Sequence, residues 1–146
     1  MIEQDTIKLL RECDAGIAMG ISAITDVYDK AKSETLKKAL LECKIQHEEL
    51  KTELEAALER FGDDGKEPNP IAKGMSFIKT NLKMAMDMDE PDDTIADLIT
   101  DGCNMGVKSL SKYLNEYKAA DEAAKDIAKK LIKMEEKLGI DMRDFL

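Results

Sequence analysis

Residues 36–61 read LKKALLECKIQHEELKTELEAALERF, and this stretch decides the fold. Its core-facing residues recur at gaps that alternate between four and three, which is the spacing of a helix with one buried face. The row with this spacing consists of Leu36, Leu40, Cys43, His47, Leu50, Leu54, Ala57 and Phe61. Because His47 is the only histidine of the chain and belongs to this row, we expect its imidazole to lie inside the protein.

The segment before this stretch is predicted to form a second helix that pairs with it. Apolar residues with the same alternating gaps run from about Glu3 to Ala31. Ser33 is the expected N-cap of the following helix, because its hydroxyl can accept a hydrogen bond from a free backbone N–H. A connection this short makes the two helices an antiparallel hairpin, which covers residues 3–61.

A connector and a shorter helix are predicted between this hairpin and a second one. After Gly62, residues 62–91 contain an exposed connector and a crossover helix that opens at Pro70. Residues 92–146 then form two more long helices, which meet near Ala120. A crossover between two hairpins gives the order up-down-down-up in an all-α four-helix bundle. The length of 146 residues suits one domain over 1–146.

Composition excludes several classes of protein. The net charge is −9 and no basic cluster is present, so the sequence predicts binding neither to nucleic acid nor to anionic membrane. No run of eighteen apolar residues occurs, so no membrane-spanning helix is expected. The three cysteines are Cys13, Cys43 and Cys103, which form no CxxC pair. Free thiols in a reducing cytoplasm are the expected state.

The buried rows contain residues that are unusual in a core. Asp14, His47 and Glu135 each interrupt one row, and Cys103 takes the corresponding place in the remaining long helix. All four fall near mid-bundle when residues are counted from the hairpin turns. Such a set suits one transition metal ion, with zinc or iron favoured. The alternatives are a hydrogen-bonded pair of His47 with Glu135 or Asp14, or a first helix rotated to bury Cys13 instead.

Four glycines lie inside predicted helices, where glycine is destabilising. These are Gly16, Gly20, Gly102 and Gly106. Their positions indicate either a close approach of two helices at mid-length or a need for space there.

The two hairpins, the mid-bundle histidine and the crossover resemble the ferritin-like superfamily. Within it, residues 10–54, 75–86 and 101–146 are similar to the bacterial family domain of unknown function 2383. The resemblance implies a ferritin-like bundle, whose di-iron members carry a carboxylate on two helices and Glu-x-x-His on the other two. Here those two motifs read Lys44-x-x-His47 and Ile132-x-x-Glu135, so both bridging glutamates are missing.

These observations rank three functions. We expect a structural or interaction protein without catalytic activity. The sequence identifies no partner, and it is compatible with a homo-oligomer. The alternative is a protein that binds one zinc or iron ion through Asp14, His47, Cys103 and Glu135. A di-iron oxidase or iron store is least favoured, because the bridging glutamates are absent.

Overall fold

Alternating apolar spacing produces long helices throughout the part of the chain that the structure describes. The computed structural model describes residues 2–62 and 91–146. Its helices are α1 (Ile2–Tyr28), α2 (Glu34–Glu59), α3 (Pro91–Glu116) and α4 (Glu122–Met142), and a 3₁₀ turn follows at Arg143–Phe145. These residues contain no β-strand. The all-α class is therefore confirmed, while the predicted crossover helix lies outside the described residues.

Short side-chain caps fix where two of the helices begin. The Ser33 hydroxyl accepts a hydrogen bond from the Leu36 N–H at 3.3 Å, as the sequence predicts. Asp121 caps α4 in the same way, through the N–H of Ala124 at 2.8 Å. The α3 helix ends at Glu116, four residues earlier than predicted, and a turn leads from it to Asp121.

Polar contacts connect the helix ends. Asp92, in the first turn of α3, accepts hydrogen bonds from the backbone N–H groups of Lys32 and Ser33 between α1 and α2, at 2.7 and 2.9 Å. At the opposite end, the Asp121 N–H donates to the Thr6 hydroxyl near the start of α1, at 2.8 Å. The start of α3 therefore lies beside the α1–α2 turn, and the α3–α4 turn lies beside the start of α1.

The core of the described residues has two apolar clusters along the helix axes. One lies toward the α1–α2 turn and includes Ile24, Leu40 and Ile95. The other lies toward the opposite end and includes Leu10, Leu54 and Leu131. Side chains from all four helices contribute to both clusters, so the clusters hold the helices together by removing apolar surface from water.

The buried face of α1 is rotated relative to the predicted row. Thr6, Cys13 and Val27 are fully buried, whereas the predicted row placed Asp14 inward. Asp14 is half-buried in the structure. The rotation buries Cys13 in place of Asp14, which avoids the desolvation cost of burying the Asp14 carboxylate.

Candidate functional site

Between the two apolar clusters, each of the four helices contributes one residue to a central layer. The layer consists of Gly20 on α1, His47 on α2, Gly106 on α3 and Glu135 on α4. His47 is 1% exposed and Glu135 is 8% exposed, so an imidazole and a carboxyl group are buried here together. Buried groups of this kind need hydrogen-bond partners, and the two supply them to each other.

Both ring nitrogens of His47 are engaged. Nδ1–H donates to the backbone carbonyl of Cys43 at 2.8 Å, one helical turn earlier. Nε2 lies 3.4 Å from Oε1 of Glu135, across the interface between α2 and α4, and donates to it when the ring is protonated. With both nitrogens acting as donors, the geometry suits the protonated imidazolium facing a carboxylate.

Charge and hydrogen bonding shift the pKa of His47 against the effect of burial. Burial alone lowers the pKa, but the side-chain hydrogen bonds to Cys43 and Glu135, together with the electrostatic effects of Cys43 and Glu135, raise it to about 10. The imidazolium is therefore the form that this pair holds at neutral pH. Glu135 and His47 make a buried ion pair, which is the central electrostatic feature of the site.

Two thiols flank this ion pair. Cys43 Sγ lies 3.5 Å from Nδ1 of His47, and the Cys103 thiol is hydrogen-bonded to Glu135. Burial raises the pKa of Cys103 far above that of an ordinary thiol, and the charge of Glu135 raises it further. Since the thiolate is the nucleophilic form of cysteine, Cys103 is an unreactive thiol in this environment.

The two glycines of the central layer provide the space that the ion pair occupies. A Cβ atom at Gly20 would lie only 2.6 Å from Nε2 of His47 and 2.8 Å from its Cδ2. A Cβ atom at Gly106 would lie 3.3 Å from Cδ of Glu135. The absence of a side chain at these two positions therefore lets the imidazole and the carboxylate fit between the helices.

A small cavity of about 30 Å³ adjoins the ion pair. Its polar lining comes from His47, Cys103 and Glu135, and Met19 adds a thioether. The remaining lining is apolar or glycine: Gly20, Ala23, Ile24, Leu98, Ile99, Gly102 and Leu138. A space of this size admits a single ion or one to two small molecules the size of water.

The structure brings together three of the four residues predicted as metal ligands. His47, Cys103 and Glu135 line one cavity, whereas Asp14 does not contribute to it. On α1 the position facing His47 is Gly20, about 9 Å further along the helix axis than Asp14. Within residues 2–62 and 91–146, no group of three or more His, Cys, Asp or Glu side chains is placed to hold a metal ion.

Comparison with known proteins supports the fold. No protein-family model matches the chain, and no curated protein matches it. The crystal structure of a DUF305 fragment from Deinococcus radiodurans is similar, with a TM-score of 0.76 and 13% sequence identity. The similarity covers 96% of this chain and 93% of that chain. At such low identity, it establishes a shared helical fold and nothing about activity.

Proposed function

We propose that this chain is a structural or interaction protein without catalytic activity, built on a ferritin-like bundle whose metal centre has degenerated. The observation that supports this proposal most directly is the contact between His47 and Glu135. Each of these side chains is the hydrogen-bond partner of the other. The second ring nitrogen of His47, Nδ1, is hydrogen-bonded to the Cys43 carbonyl. Because both ring nitrogens of His47 already contact oxygen atoms of the protein, His47 has no free nitrogen for a substrate or a metal ion.

The proposed topology is a single domain over 1–146, with helices in the order up-down-down-up. The hydrogen bonds of Asp92 to the α1–α2 turn support it, because they place the start of α3 at the end where α2 begins. The hydrogen bond between Asp121 and Thr6 supports the return direction of α4. The resemblance to domain of unknown function 2383 belongs to the same proposal, since it depends on the sequence pattern alone.

The composition of the central layer supports the degenerate centre. Di-iron members of the superfamily project a carboxylate inward from two helices and Glu-x-x-His from the other two. In this chain Gly20 and Gly106 occupy the layer on the two helices that lack the motif, where di-iron proteins have a carboxylate. In the two Glu-x-x-His motifs, Lys44 and Ile132 stand in place of glutamate. A carboxylate set able to bridge two metal ions is therefore missing from the layer.

The chemistry of the site also favours a non-catalytic role. Its thiol at Cys103 is held in the protonated form by burial and by Glu135, so no activated nucleophile is supplied. The cysteines of the chain are unpaired, which fits a reducing cytoplasm as the place where the protein acts. No helix in residues 2–62 or 91–146 is long and apolar enough to cross a membrane.

Elemental analysis of the untagged protein tests this proposal. We expect less than about a tenth of an equivalent of zinc or iron, because no group of three or more His, Cys, Asp or Glu side chains among residues 2–62 and 91–146 is placed to hold such an ion. Inductively coupled plasma mass spectrometry on protein purified without a histidine tag is the measurement. One equivalent of either metal that disappears in a His47→Leu variant would overturn the proposal and favour the single-metal alternative.

A further inference from the structure

The outer face of α2 exposes two large apolar side chains one helical turn apart. Leu41 is 42% exposed and Ile45 is 46% exposed, and both lie on the side of the helix opposite the buried row that contains His47. Single exposed apolar residues are common on protein surfaces. Among the most exposed large apolar side chains of the described residues, however, only Leu41 and Ile45 lie four residues apart on one helix. These two residues form an apolar strip on the surface.

Exposed charged residues of opposite sign flank the apolar strip. Lys38 lies three residues before Leu41, whereas Glu48 and Glu49 lie three and four residues after Ile45. Within residues 2–62 and 91–146, none of these three charged side chains has an ion-pair partner. A helix face with a cation on one side of an apolar centre and anions on the other is complementary to a copy of itself that runs in the opposite direction.

We propose that α2 pairs in antiparallel orientation with α2 of a second copy of this chain, about a two-fold axis midway between Leu41 and Ile45. In such a pair, each residue lies opposite the one that is equally far from the axis along the other helix. Leu41 of each copy then contacts Ile45 of the other copy. Lys38 of each copy lies beside Glu48 and Glu49 of the other. The inference rests on the proposed interaction role and deepens it by naming the partner.

The flanking charges favour the antiparallel pair over a parallel one. In a symmetric parallel pair each residue lies beside its own equivalent, so Lys38 would face Lys38 and Glu48 would face Glu48. Flanking charges of this kind set the orientation of paired helices. One like-charge contact remains in the antiparallel pair, between the two copies of Glu42 close to the axis. Because only four apolar side chains meet at the centre, we expect a weak, reversible dimer with a dissociation constant of roughly 10–100 µM.

Sedimentation equilibrium of the full chain tests the proposal by measuring its association constant. The variant Leu41→Gln/Ile45→Gln should associate about tenfold more weakly or less, because it removes the apolar contact at the axis. Both positions are on the surface, so the monomer should keep its fold, which circular dichroism verifies. Ile140→Gln is the matched control, since Ile140 is 54% exposed on α4, and it should dimerise as the unmodified chain does.

Charge reversal tests the antiparallel orientation. Lys38→Glu makes all flanking residues acidic and Glu48→Lys/Glu49→Lys makes them all basic, so each variant alone should associate about tenfold more weakly. An equimolar mixture of the two should recover the dimer, because every flanking pair is again opposite in charge. The proposal is overturned by an unmodified chain that is monomeric at about 0.5 mM, by a Leu41→Gln/Ile45→Gln variant that dimerises as well as the control, or by a mixture that associates no better than its components. The zinc and iron content that tests the proposed function is measured separately, so either idea can fail alone.

Discussion

Replacing Glu135 by leucine is expected to lower the free energy of unfolding by roughly 3 kcal/mol, because the buried imidazolium of His47 loses its counter-charge. The two groups are 8% and 1% exposed, so water cannot take over the lost interaction. His47→Leu is expected to have a similar effect, since it leaves the Glu135 carboxylate buried without its cationic partner. Urea denaturation followed by circular dichroism measures both changes.

The double variant His47→Leu/Glu135→Leu should instead lie within about 1 kcal/mol of the unmodified protein, or be more stable. Replacing both members of a buried ion pair by apolar side chains removes the desolvation cost of two charges along with their attraction. The double-mutant cycle therefore yields a large coupling energy between the two positions. If the double variant lost the sum of the two single losses, the result would contradict the assignment of His47 and Glu135 as each other's partners.

Gly20→Ala is expected to destabilise the protein by about 2 kcal/mol or more, although alanine is ordinarily the better helix residue. The new Cβ atom would lie 2.6 Å from Nε2 of His47, so the ring or the α1 helix has to move. Either movement lengthens or breaks the contact with Glu135 and leaves a buried polar group without its partner. Thermal or urea unfolding of the variant measures the loss.

Gly102→Ala is the matched control for this substitution. Gly102 lies in α3 and lines the same cavity, but nothing beyond its chain neighbours and its own helix backbone lies within 4 Å of a Cβ built on it. Alanine there should stabilise the protein by about 0.5–1 kcal/mol through reduced freedom of the unfolded backbone and better helix propensity. If the two alanine variants changed stability by the same amount and in the same direction, the central layer would not depend on the space that Gly20 leaves.

The sequence predicts those features that depend on one helix at a time. Alternating gaps of four and three place His47 and Glu135 on buried faces, and the structure confirms both positions. The hydroxyl of Ser33 marks the start of α2 correctly. Each of these predictions uses only local spacing or a local hydrogen bond, which the sequence states directly.

Features that depend on how helices align with one another were harder to predict. On α1, Leu10 and Ile17 fit two neighbouring rows equally well, and the spacing alone could not decide between Cys13 and Asp14 as the inward residue. The cost of a glycine at position 20 was visible in the sequence. Its purpose was not, because His47 fills that space from another helix.

The same ion pair gives the stability of the protein a pH dependence of defined sign. The folded-state pKa of His47 is raised above the unfolded value of 6.5, to about 10. Its contribution is therefore fully present below about pH 6.5 and is lost as the pH rises through 10. The variant His47→Leu/Glu135→Leu lacks this group and should lose less stability over the same range.

The protonation state of His47 is the central claim, and proton NMR of the unmodified protein measures it most directly. Because His47 is the only histidine, its ring protons give signals that need no assignment by mutation. The buried ion pair predicts chemical shifts of a protonated imidazole that do not change between about pH 6 and 8.5, well past the pKa of free histidine. A titration with its midpoint near 6.5 would contradict the claim, since it would show an imidazole that no carboxylate holds in its charged form.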